Sequence, residues 1–137
     1  MSNTGKLNIT VRRSQLGRVR GLGSARGGVR HWWVQRLTAM ALLPLTIWFV
    51  ISVLGLLGAP QPAVAAFVAA PVNTVLLVAL VAISLHHAEA GVQTVIEDYV
   101  HREGSRIASL LAVKALTLFL ALVGIIAVLK LAFTAVH

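Results

Sequence analysis

Three apolar runs, roughly Leu37 to Leu57, Pro71 to Ala90 and Ile107 to Leu129, each reach the length of about 20 residues that an α-helix needs to cross a hydrocarbon core. Lipid offers no hydrogen bonds, so such runs must close their backbone N–H and C=O groups internally, and helices do this within one segment. A chain of 137 residues has room for one unit of this kind. Its 58% hydrophobic and 12% charged content, with a mean hydropathy of +0.86, is far from the balance of a water-soluble domain. The expected fold class is an all-α membrane protein with three transmembrane helices. Residues 1–30 form a basic, loop-rich N-terminal arm, and 31–137 form the three-helix transmembrane domain.

A net charge of +8 invites a nucleic-acid partner, but its distribution argues against one. Lys6, Arg12, Arg13, Arg18, Arg20, Arg26, Arg30 and Arg36 all precede the first span, and Arg102, Arg106 and Lys114 cluster around the link between the second and third. Lys130 alone lies toward the other side. This is the positive-inside pattern, which predicts a cytoplasmic N-terminus and second loop, with the link near Pro60 to Ala70 across the membrane. The arm is acid-free and contains Ser2, Ser14 and Ser24, as a mitochondrial transit peptide would, but Gly21, Gly23, Gly27 and Gly28 break an amphipathic presequence. No apolar core with a small-residue cleavage site marks a secretory signal. A retained cytoplasmic arm that meets a protein partner or anionic lipid is expected.

Along the chain, Gly21-Leu22-Gly23 with Gly27-Gly28 lacks the strand–helix context of a phosphate-cradling loop. His31-Trp32-Trp33 marks the interfacial belt at the start of the first span. Pro44 cannot donate to the Met40 carbonyl, which predicts a kink, with neighbouring helices or Thr46 satisfying the freed group. Gly55, Gly58 and Pro60 close that span. Pro62 to Ala70 is too short to cross and reads as a short outer-surface segment, followed by Pro71 as the first residue of a second helix running to about Tyr99. Gly104-Ser105 marks the turn into the third helix, with Ser105 as its cap. Lys114 is expected to snorkel back to the interface. No internal repeat suggests an inverted-repeat transporter.

The chemistry concentrates in the second helix. Cysteine is absent, so thiolate metal sites and disulfides are excluded and any cofactor is held by nitrogen or oxygen. Ionisable groups in hydrocarbon are costly unless partnered. At 100° per residue, Gly91, Thr94 and Asp98 fall within about 40° of His87, and Ser84 lies about 60° away. His86 points about 100° off and Glu89 nearly to the back. His87 alone reads either as an interhelical hydrogen-bond partner or as a cofactor ligand. A residue without a side chain one turn on, at Gly91, makes room for a flat macrocycle, and together with the carboxylate–tyrosine pair further along it tips the reading toward haem. His31 lies too near the interface to be the second axial imidazole, which is expected from another polypeptide. His31 and Arg36 read as headgroup anchors or as partners of haem propionates, for which arginine's forked donors suit carboxylates. Tyr99 reads as a belt residue or, beside Glu97, Asp98 and His101, as a donor to a quinone headgroup. Glu89 is protonated, paired with a partner chain, or wet at the boundary. A proton-coupled transporter relaying through Glu89 and His87, and a structural adaptor that recruits soluble proteins through the arm, are the competing classes.

His87-Ala88-x-x-Gly91, then Val95-Ile96-Glu97-Asp98-Tyr99-Val100, preceded by His31-Trp32-Trp33-Val34-Gln35-Arg36-Leu37-Thr38-Ala39, resembles the hydrophobic membrane anchor subunits of succinate dehydrogenase, the smaller cytochrome-b-associated anchors of respiratory complex II. The resemblance runs from about Gly21 to the C-terminus, and the histidine-to-tyrosine spacing is its most specific part. It implies that His87 is one axial ligand of a haem b shared with a companion cytochrome b anchor subunit. Tyr99 would hydrogen-bond a ubiquinone carbonyl with support from Asp98, and His31 and Arg36 would lie near the haem propionates or the quinone entrance. An iron–sulfur subunit would cap the cytoplasmic face and a flavoprotein subunit would oxidise succinate, leaving no catalytic residue of that step here. The same resemblance implies a multi-pass protein of the bacterial inner membrane, in preference to the mitochondrial one, and leaves a fumarate reductase anchor as an alternative. Many relatives carry threonine where this chain has Glu97, and the arm before Gly21 matches no pattern.

Overall fold

The computed structural model describes residues 26–134, and every described element is helical: α1 (Arg26–Gly55), α2 (Gln61–Ala69), α3 (Pro71–Tyr99) and α4 (Glu103–Thr134). The expectations for residues 1–25 fall outside the described residues. α1, α3 and α4 are each long and apolar enough to cross a membrane, as the three apolar runs require. α3 begins at Pro71 and ends at Tyr99, as expected. α1 starts at Arg26, well before the expected start of the span at Leu37, so Arg26 to Arg30, read as arm, are helical.

The ends of the helices have local causes. α1 runs unbroken through Pro44. The Thr46 hydroxyl donates to the Leu42 and Leu43 carbonyls at 2.7 and 3.1 Å, so it does not serve the Met40 carbonyl that Pro44 frees. Gly58 takes a left-handed φ of 76° in the turn after Gly55, where a side chain would be strained. Pro60 precedes α2 in extended geometry, with Pro62 in its first turn. Orphan carbonyls at the C-terminal end of α2 are taken up from the start of α3: Asn73 Nδ2 donates to Phe67 at 2.8 Å, and Thr74 Oγ1 to Val68 at 2.6 Å. α4 starts at Glu103, not at Ser105. The Ser105 hydroxyl donates to the Arg102 carbonyl at 2.9 Å and caps no N–H, while Glu103 places a carboxylate in the first turn.

α3 is the central helix. It packs against both α1 and α4, α2 packs against both α3 and α4, and the backbones of α1 and α4 do not approach closely. The Trp48 and Phe67 rings stack 6.3 Å apart, joining α1 to α2. The buried core among the described residues is small in side chain as well as number: Ala65, Val68, Ala90 and Ala132. Large apolar side chains such as Leu43, Ile51, Leu118 and Phe133 point outward, which suits a lipid or protein surround in which close backbone approach replaces hydrophobic collapse.

Among the described glycines the closest approach is at Gly124 of α4, where a Cβ would stand 2.9 Å from Val81 Cγ1 of α3. Val81 is β-branched and stiff at χ1, so it cannot swing aside cheaply. Gly124→Ala is expected to destabilise the bundle by about 1–3 kcal/mol, seen as a lower thermal midpoint of the detergent-purified protein. Adding Val81→Ala should recover most of the loss. An unchanged midpoint for the single variant would mean that the α3–α4 crossing is looser than the structure shows.

Candidate functional site

Two histidine–threonine couples join α1 to α3. His87 Nδ1 lies 2.9 Å from Thr38 Oγ1, and Thr38 Oγ1 also lies 2.9 Å from the Val34 carbonyl and 3.0 Å from the Gln35 carbonyl. A hydroxyl has a single proton and carbonyls only accept. The Thr38 proton therefore goes to the helix carbonyls, its oxygen accepts from His87 Nδ1–H, and Nε2 carries the imidazole lone pair. Nε2 has no hydrogen-bond partner among the described residues. In the second couple His31 Nε2 lies 3.3 Å from Thr94 Oγ1, whose proton is directed to the Ala90 carbonyl at 3.1 Å, so the imidazole again donates. Thr38 follows His31 by seven residues and Thr94 follows His87 by seven. Seven residues return a helix to nearly the same face, so two antiparallel helices match both couples in one register.

Gly91 lies on the same stripe, between His87 and Thr94. A Cβ built there meets nothing within 4 Å, so open space flanks α3 one turn from the imidazole. Ser84, expected near this stripe, donates to its own helix at the Val81 carbonyl, 3.1 Å away.

His86 and Glu89 occupy another face of α3, His86 Nδ1 standing 3.8 Å from Glu89 Oε2. They line an open cleft of about 650 Å³ with His31 of α1, Gln93, Glu97 and Lys114 of α4. Gln93 donates to Glu97 Oε1 at 2.7 Å. Lys114 lines the same cleft as Glu89. Glu89 and His87 are not brought together: residues two apart on a helix diverge, and His87 is engaged by α1.

At the end of α3, Tyr99 is 77% exposed and Asp98 is exposed beside it. No side-chain hydrogen bond joins the two among the described residues. His101 Nδ1 meets the Tyr99 carbonyl at 3.0 Å. Arg36 and His31 share α1 but not a face. The Arg36 guanidinium lies 4.6 Å from the Trp32 ring centroid, a cation–π geometry, and Trp32 meets Trp33 edge-on at 5.1 Å. Sequence reasoning missed Thr38. Its heptad spacing from His31, mirrored by His87 and Thr94, was the available signal.

The family model of the succinate dehydrogenase/fumarate reductase transmembrane subunit matches residues 10–129. The chain is 31% identical to the succinate dehydrogenase hydrophobic membrane anchor subunit of Rickettsia bellii over 85% of this chain and 93% of the relative. It is 29% identical to the succinate dehydrogenase membrane anchor subunit of Reclinomonas americana over 68% of this chain and 80% of the relative. A third relative, the hydrophobic membrane anchor subunit of Paracoccus denitrificans, is 33% identical over 58% of this chain and 61% of its own. No solved structure matches. Three spanning helices and these matches agree: the chain belongs to the succinate dehydrogenase/fumarate reductase transmembrane subunit family, as a hydrophobic membrane anchor of succinate dehydrogenase.

Proposed function

We propose that this anchor shares a b-type haem with a companion cytochrome b anchor subunit and lines the site where ubiquinone is reduced, while docking the iron–sulfur and flavoprotein subunits on its cytoplasmic face in the bacterial inner membrane. The observation that carries this reading is the state of His87: Nδ1–H held by Thr38, Nε2 without a partner among the described residues, and open space at Gly91 one turn away. The donor set fits one axial position. Among the described residues no three of His, Asp and Glu group as a metal centre; His87 would hold the iron from this chain, and the second imidazole would come from the companion subunit. Haem, when bound, supplies a one-electron centre within the bilayer.

Tyr99 lies twelve residues beyond His87 on the same helix, about 18 Å along its axis. Its exposed phenol is available to donate to a ubiquinone carbonyl, stabilising the negative charge that develops as the ring is reduced. Two electrons arriving through the iron–sulfur subunit and two protons convert quinone to quinol. Asp98, with Glu97 and His101 near it, supplies carboxyl and imidazole groups for proton delivery. His31 and Arg36 begin the antiparallel helix at this same end, where their proposed partners are the haem propionates or the quinone entrance. Succinate binding and its oxidation belong to the flavoprotein. The names of the matched relatives favour succinate dehydrogenase over a fumarate reductase anchor. The separation of Glu89 from His87 disfavours a transporter relay.

Purified with its partners, the complex is expected to show a b-type signal in a reduced-minus-oxidised spectrum that disappears in His87→Ala. Persistence of the signal would remove His87 from the iron. Tyr99→Phe is expected to lower ubiquinone reduction by about two orders of magnitude, with succinate oxidation by an artificial dye retained. Unaltered quinone turnover would exclude the phenol from the site.

A further inference from the structure

We propose that Thr38 is a positioning residue for the haem ligand: its hydroxyl, anchored on the α1 backbone, selects the His87 tautomer that presents Nε2 to iron and sets the basicity of that nitrogen. The proposal rests on the ligand role of His87 given above. Its geometric basis is the placement of one oxygen 2.9 Å from His87 Nδ1, 2.9 Å from the Val34 carbonyl and 3.0 Å from the Gln35 carbonyl. If Thr38 donated to Nδ1 instead, its oxygen would face both carbonyls with no proton between them. Only with the imidazole as the donor does the single hydroxyl proton lie toward the carbonyls while the Thr38 oxygen accepts from Nδ1–H. A metal-bound histidine is oriented and made more basic by the acceptor at its other nitrogen, and here that acceptor comes from a neighbouring helix whose own position is set by the same register as His31 and Thr94.

The direction of each effect follows. Without the acceptor, Nε2 donates less strongly to iron, the ferric state loses more than the ferrous state, and the haem midpoint potential rises. The imidazole is also freer to rotate and to take the other tautomer, so haem is held less tightly, by about ten- to a hundred-fold.

The test uses the assembled membrane complex carrying Thr38→Val, which keeps the side-chain shape and removes the hydroxyl, Thr38→Ser, which keeps it, His87→Ala, and the double variant. Haem release to excess apomyoglobin and the spectroscopic midpoint potential are measured on each. The expected result is release faster by about ten-fold or more in Thr38→Val, a raised potential, and recovery of both toward wild type in Thr38→Ser. Wild-type release and potential in Thr38→Val, with haem lost in His87→Ala, overturn the role of Thr38 and leave the ligand reading intact. Haem retained in His87→Ala overturns the ligand reading itself. Should Thr38→Val assemble poorly, assembly is compared in the His87→Ala background. No further defect there supports action through His87, whereas an equal further defect means that Thr38 is a packing residue and the proposal fails.

Discussion

The interhelical hydrogen bond between His87 and Thr38 ties α3 to α1 and marks the face of α3 that meets it. An intramembrane imidazole needs a partner, and here the partner is a hydroxyl whose own proton is already committed to helix backbone. The reciprocal couple, His31 with Thr94, repeats the arrangement with the roles of the helices exchanged. Single polar contacts between membrane helices contribute modestly, about 0.6 kcal/mol on average. Their larger effect is on register: sliding α1 along α3 by one residue would break both couples together.

With α1 held on the His87 face and α4 held near Val81 through Gly124, the helices form a row with α3 in the middle, and the backbones of α1 and α4 stay apart. The row leaves the sides of α3 open. One side carries His86, Glu89, Gln93 and Glu97 beside Lys114, a mixed-charge surface in which acids and bases share a cleft. Gly91 meets no side chain. A self-contained bundle would bury such a helix on all sides. The sparse, small-residue core and the outward-facing apolar side chains are what a subunit needs if much of its packing is completed by lipid and by other chains.

Much of the fold was legible because hydropathy and length decide it. Pro71 and Tyr99 bound α3 as expected, since proline suits a first turn and polar residues stop the run at the other end. The misreadings were local. Thr46 and Ser105 were assigned to the nearest unsatisfied group in sequence, whereas threonine and serine hydroxyls in helices return to their own preceding carbonyls. Lys114 lines the cleft that holds Glu89, a neighbour that its depth in the sequence does not reveal.

Composition and periodicity by themselves determined that this chain spans a membrane three times, that cysteine chemistry is absent, and that His87, Gly91 and Thr94 share one face of a helix ending at Tyr99. Helical geometry makes those statements one-dimensional, so one strand of sequence suffices for them. Which nitrogen of His87 is free, that Thr38 engages the other, that Arg36 rests on Trp32 instead of joining His31, and that Glu89 turns away from His87 are relations between helices or between rotamers. Only the tertiary arrangement decides them, because the relative rotation and register of packed helices depend on a few contacts, the histidine–threonine couples and the Gly124–Val81 approach, that are far apart in the chain.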